Sequence, residues 1–283
     1  MSVVETISSD HIITVIADGL RFPGGPAFAP DGSLWAVEQQ GESLILFADN
    51  QLKRIHVGGS PNGIAIDKEG MIWFCDSGNN AIRKFNTVTG SVETVADRID
   101  GEPLSKPNDL CFDNKGNLLF TCPGQSKTIP AGYACVLQAN GKLKRITAGK
   151  YFPNGLAFTD NGCSLVMAET YRHRLWKGGW CPDRCEWTNE NVWCEIGGPD
   201  GPGGPDGMAF DENGVVYVAV YGTGQLRCVN GNGLVSAAVD LPGPNPTNCA
   251  FDPAAKLGLV VTEAGRGELL SITGLKRGQS LFQ

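Results

Sequence analysis

Three signals are missing from the chain: a long apolar run, a cluster of basic residues, and any useful stretch with a helical period. No segment approaches the roughly 20 apolar residues of a membrane-spanning helix. The formal net charge is −7 with no basic run, which argues against a nucleic-acid or membrane-surface partner. The opening MSVVETISSDHIITV has no basic stretch followed by an apolar one, so no secretory signal is expected and a cytoplasmic location is the simplest reading. G-x-S-x-G, H-E-x-x-H and P-loop patterns are absent, which removes support for serine-esterase, zincin and nucleotide-binding chemistry. Histidine is scarce: His11 and His56 fall in outer-strand patterns, and His173 reads as a surface or rim residue rather than a general base.

Glycine and proline are plentiful, at 38 and 17, but they sit at regular turns rather than in a low-complexity tract. Of the ten cysteines, Cys75, Cys111, Cys135, Cys228 and Cys249 occupy strand patterns, where a thiol serves as a small apolar core residue. Cys181, Cys185 and Cys194 cluster in GWCPDRCEWTNENVWCEI. A zinc site there would need a fourth ligand, and reduced loop thiols are the reading adopted.

One phrase recurs six times: FPGGPAFAPDG (Phe22–Gly32), SPNGIAIDKEG from Ser60, KPNDLCFDNKG from Lys106, FPNGLAFTDNG from Phe152, GPDGMAFDENG from Gly204 and a degraded NPTNCAFDPAA from Asn245. Its prolines are spaced 44.6 residues apart on average, the period of four-stranded propeller blades. Each repeat carries two hairpin signals, and Gly32, Gly70, Gly116, Gly162 and Gly214 supply the positive φ of the first turn. The expected fold is all-β: a six-bladed β-propeller of four-stranded antiparallel blades, one domain over residues 1–283. The last repeat lacks an outer strand, and residues near Ile12–Ala17 are expected to supply it and close the ring. Alanine at Ala27, Ala65, Ala157, Ala209 and Ala250, with a large apolar residue after each, should pack between blades.

The slot after each proline holds Gly24, Asn62, Asn108, Asn154, Asp206 and Thr247. A closed ring would gather these at one level around an axis, as an oxygen-lined site. Asn and Asp also favour turns, so the residues alone leave a structural and a functional reading open. A second level, about 15 residues after the prolines, carries Glu38, Asp76, Glu169 and Glu263, which either face a site or bond neighbouring backbone.

With KPNDLCFDNKGNL, FPNGLAFTDNGCSLVMAETYRHRLW and GGPDGMAFDENGVVYVA, the chain resembles the SMP-30/gluconolactonase/LRE-like family of six-bladed propellers, which includes diisopropylfluorophosphatase-like enzymes. The resemblance implies one divalent cation on the axis, calcium above other divalent metals, and hydrolysis of a lactone or related ester. It carries metal-ligand roles to Asn154 and Asp206, a metal or substrate contact to Asn108, and substrate contacts to Lys106 and Asp109. Where the family has a first-blade glutamate, this chain has Gly24, and Glu38 of the same blade is the candidate replacement.

The resulting expectation is an aldonolactone-like hydrolase with Asp206 as catalytic residue and the cation polarising the carbonyl. Lys106 and Asp109 would hold ring hydroxyls at the mouth. The partner is a small-molecule substrate, and the chain a monomer or weak homo-oligomer. A non-hydrolytic isomerase or lyase with altered or absent metal, and a non-catalytic ligand-binding propeller, are the alternatives.

Overall fold

Each proline phrase forms the innermost strand of one four-stranded sheet, and the turn chemistry explains the strand's limits. The computed structural model describes residues 5–6, 11–159 and 161–280. The six inner strands are Pro23–Phe28, Pro61–Ile66, Leu110–Phe112, Pro153–Phe158, Gly204–Phe210 and Pro246–Phe251, here assigned to blades 1 to 6. Each pairs antiparallel with the strand that follows its turn, and the sheet then runs outward in chain order except at the outer strand of blade 6. The inner strands also pack against those of the adjacent blades, blade 6 against blade 1 included, so the sheets form a closed ring.

The five turn glycines take φ between +66° and +86°, the region where a Cβ is costly. In blades 2, 3 and 5 the carboxylates of Asp67, Asp113 and Asp211 each accept two turn N–H groups, pinning the hairpin. The degraded sixth phrase keeps the same backbone: Ala255, at the glycine's position, has φ +56°. Asp160 of the fourth turn and the first four residues, read above for a leader, lie outside the described residues.

Ring closure follows the sequence reading. Ile12–Ala17 is the outer strand of blade 6 and pairs antiparallel with Glu268–Thr273, Ile12 lying opposite Thr273. Glu5–Thr6 adds a short parallel edge to the outer strand of blade 5, which the repeat did not foreshadow. Among the described residues no helix is long and apolar enough to cross a membrane.

The apolar positions of the phrase form the inter-blade core. Phe28, Ile66, Phe112, Phe158, Phe210 and Phe251 are all buried, each contributing about 1.5–3 kcal/mol by leaving water. The alanines are small because bulk stands across the strand pair: Ala27 faces Trp35, Ala65 faces Trp73 and Ala209 faces Tyr217. Cys75, Cys135, Cys228 and Cys249 are buried free thiols within this core, as their strand positions implied, and Cys111 is half-buried.

Candidate active site

A register shift interrupts the inner-strand pairing just after the proline in blades 1, 2, 4, 5 and 6. Such bulges re-aim side chains and recur beside active sites. Here the shift turns the slot residues toward the axis. Gly24, Asn62, Asn108, Asn154, Asp206 and Thr247 all line one cavity of about 550 Å³, a size suited to a small molecule.

The next residue in each phrase closes the cavity below. That position is Gly25, Gly63, Asp109, Gly155, Gly207 and Asn248. Asp109 and Asn248 come from opposite blades, and the Asn248 amide reaches the Asp109 carboxylate at 3.5 Å. Two of the glycines are required by these side chains: a Cβ on Gly63 would collide with Asp109 Oδ1, and one on Gly207 with the Asn248 amide. Asp109 and Asn248 also line a smaller, mostly apolar chamber beneath, walled by the phrase phenylalanines. The C-terminal segment crosses that lower end, Gln279 donating to the Phe210 and Phe158 carbonyls. The two polar side chains therefore form a floor between a polar upper cavity and a mostly apolar lower one.

Among the described residues only two carboxylates line the upper cavity, Asp109 and Asp206. Burial pushes Asp109 up to about 6, against the N–H groups of Leu110 and Leu156 and the Asn248 amide. Burial, then the charge of Asp109, pushes Asp206 well above the ordinary carboxylate range, while the Asn154 amide and the Gly207 N–H pull it down. Asn154 is itself held in one orientation. The Thr170 hydroxyl donates to the Pro205 carbonyl at 2.8 Å, so it can only accept from Asn154 Nδ2, at 3.1 Å. That leaves Asn154 Oδ1 buried without a donor. An orphaned amide oxygen beside a carboxylate and further amides is an oxygen-only donor set, which suits a hard divalent cation. No group of three or more His, Cys, Asp or Glu side chains gathers as a metal cluster among the described residues, so any cation here would rest largely on amides.

The second-level acids have different surroundings. Glu38 accepts from the Arg21 N–H at 3.0 Å and from Arg54 Nε at 2.8 Å. Asp76 accepts from the N–H groups of Ser60, Gly78 and Asn79 and from Arg83. Glu169 takes the Tyr151 N–H, Arg174 Nε and Trp176 Nε1. Glu263 takes the N–H groups of Asn245, Gly265 and Arg266. Each acid thus clamps the chain just before its proline. Glu38 does not line the cavity, and its oxygens are occupied by Arg54 and Arg21; the structure does not bring it to Asn154 and Asp206 as the replacement ligand. The backbone-bonding reading holds for all four acids.

Lys106 and Asp109 also separate, rather than meeting at the mouth. Lys106 is exposed there, whereas Asp109 is buried in the floor because its slot points down the axis. Sequence reasoning missed Asn248, Lys127, Thr170 and the mouth aromatics Phe22, Phe152, Tyr171 and Tyr221. Two signals were available: Asn248 stands where most phrases have glycine, and Phe22 and Phe152 share the pre-proline position of Lys106. His173 Nε2 contacts the Gly203 carbonyl at 3.2 Å and is not a lining residue.

Comparison with known proteins agrees with the geometry. Residues 82–265 match the family described as "SMP-30/Gluconolactonase/LRE-like region", and the chain belongs to that family. It is 28% identical to a gluconolactonase of Zymomonas mobilis, covering 84% of this chain and 75% of that protein. It is 27% identical to the diisopropyl-fluorophosphatase of Loligo vulgaris, covering 90% and 89%. In fold it is similar to a calcium-binding protein, regucalcin, from Agrobacterium tumefaciens, with a TM-score of 0.82 at 21% identity over 95% of this chain and 96% of that one.

Proposed function

We propose that the upper cavity hydrolyses a small cyclic ester, an aldonolactone-like substrate, with a divalent cation held by Asn154, Asp206 and Asn108. Family membership makes the chain a hydrolase of the lactonase/esterase type. The observation that carries the finer reading is the orphaned Asn154 Oδ1 beside Asp206, an acceptor pair at the wall of a cavity open to solvent. Calcium is the cation this donor set suits best, since neutral amides and one carboxylate meet its preference for several oxygen ligands. Bound there, the ion would supply Lewis-acid polarisation of the ester carbonyl.

The chain's own groups supply the rest. Asp206 is the catalytic carboxylate: of the two acids lining the cavity, Asp109 lies in the floor and Asp206 at the slot level. In its ionised form one carboxylate oxygen of Asp206 would hold the cation and the other accepts a proton from the attacking water; without the cation, burial raises its affinity for protons. Asn108 and Lys106 orient the ring at the mouth. Hydrolysis should therefore rise with pH through an apparent value above that of ordinary carboxylates, and saturating calcium should move that limb to lower pH.

The test is metal content and affinity of wild-type and Asp206→Ala protein, with lactone hydrolysis followed in the same samples. The reading expects about one ion in the wild type, with Asp206→Ala losing both the ion and roughly 10³-fold of the hydrolysis rate. Hydrolysis that survives exhaustive chelation would point to metal-free hydrolysis and overturn the cation's role.

A further inference from the structure

The mouth of the cavity is asymmetric in charge and in shape. Among the described residues Lys106 and Lys127 are the only cationic side chains that line it, and both are exposed. Neither has a carboxylate partner among the described residues. Both belong to blade 3, on loops that touch: a Cβ on Gly124 would collide with Ser105 Oγ, so the loop leading to Lys127 abuts the residue before Lys106. The ammonium of Lys127 stands over two rings, 5.8 Å from Phe152 and 5.2 Å from Tyr171, within the range of cation–π attraction. Those contacts aim it along the cavity wall.

Lys106 is held in a costly conformation. Its φ is +51°, although the residue before a proline favours extended backbone, and its N–H is pinned by Asn80 Oδ1 at 3.0 Å. Phe22 and Phe152, also pre-proline, share this left-handed backbone and also line the mouth. Glycine would sit there without strain, yet the chain keeps three large side chains. Across the cavity from the lysines, Phe22 and Tyr221 of blades 1 and 5 bring their rings to 6.4 Å. One wall thus carries two cations beside Phe152 and Tyr171, and the facing wall is aromatic and uncharged, on a chain whose overall charge is −7.

The geometry points to a substrate that carries a second, anionic group: a lactone bearing a carboxylate or phosphate, its ring face against Phe22 and Tyr221 and its anion on Lys106 and Lys127. This rests on the hydrolase reading above and narrows its substrate class. A neutral lactone would leave both ammonium groups facing solvent, whereas an anion gains two charge-assisted hydrogen bonds.

The experiment compares kcat/KM for three matched δ-lactones: a neutral aldonolactone, its terminal-carboxylate analogue and its terminal-phosphate analogue. Wild type should prefer an anionic member by at least about tenfold, carried in KM and shrinking as salt rises. The larger of the two anionic preferences identifies the group. Lys106→Gln and Lys127→Gln should each cut that preference severalfold, and the double variant should abolish it. A wild-type preference for the neutral lactone, or an anionic preference that survives in the double variant, overturns the inference. If wild type opens none of the three, the hydrolase reading fails by itself. Calorimetric binding of tetrahydropyran-2-carboxylate against tetrahydropyran-2-methanol then decides the present point: a lysine-dependent preference for the carboxylate sustains it, and equal or absent binding overturns it.

Discussion

The repeat places acids at two levels, about 15 residues apart, and the two sets have opposite surroundings. Glu38, Asp76, Glu169 and Glu263 are buried, and every one is saturated with donors from the chain before its proline or from an arginine. Asp109 and Asp206 lie at the axis with donors that do not offset their burial, and both are raised. Asp76 shows the contrast in one residue: burial works against its charge, yet the bonds from Ser60, Asn79 and Arg83 outweigh it and hold the carboxyl below the usual range. A buried acid with a full set of donors is a structural clamp. A buried acid short of donors has capacity left for a cation, a water or a substrate.

The comparison is open to attack at several points. The largest stability effect is expected at Glu169, whose side chain is fully buried and serves Arg174, Trp176 and Tyr151. Glu169→Gln should cost about 3 kcal/mol in urea unfolding, because Arg174 loses its partner, and hydrolysis per folded molecule should hold. A cost under about 1 kcal/mol would deny the clamp.

Asp109 should behave with the opposite sign. Its carboxyl is raised from 3.8 to about 6, so its proton is held more tightly in the folded state. The stability it contributes is full below about pH 4 and is lost as pH rises through about 6. In chelator, Asp109→Asn should therefore raise stability by up to about 3 kcal/mol at pH 7.5 and leave it unchanged at pH 4. For Asp76, whose carboxyl is lowered, the contribution is present at neutral pH and fades on acidification. Matching pH profiles for Asp76→Asn and Asp109→Asn would erase the distinction.

Gly24 allows a gain-of-function test. The nearest atoms to a Cβ there are Val37 Cγ2 at 3.5 Å and two Asn62 oxygens at 3.8 Å, which is ordinary contact. Gly24→Glu should fold normally and tighten calcium binding roughly tenfold, since affinity follows ligand charge. Unchanged affinity would place the cation elsewhere. The smallest effect is at Ala255, whose φ of +56° strains a Cβ; Ala255→Gly should stabilise by about 1 kcal/mol.

Most of the fold was legible because the repeat encodes it: the prolines mark the inner strands, the glycines the turns, and the missing outer strand of blade 6 points to Ile12–Ala17. The slot level of the site was legible for the same reason. What escaped was whatever depends on orientation across blades. Nothing local in SPNG or LWAVE tells whether Asn62 turns inward or Glu38 turns to Arg54. Asn248 was hidden because its phrase is degraded, and its role appears only when blade 6 faces Asp109 of blade 3. The aromatic and cationic walls of the mouth combine loops from four blades, and no window of the sequence contains them together.

The most direct test sets Glu38 against Asp206, the two carboxylates that the sequence offered to the cation. Calcium binding by calorimetry would be compared in wild type, Glu38→Gln and Asp206→Asn. The contrast between the two acids predicts that Glu38→Gln lowers thermal stability and keeps wild-type affinity, while Asp206→Asn loses binding without lowering metal-free stability. Loss of calcium in Glu38→Gln with its retention in Asp206→Asn would contradict it.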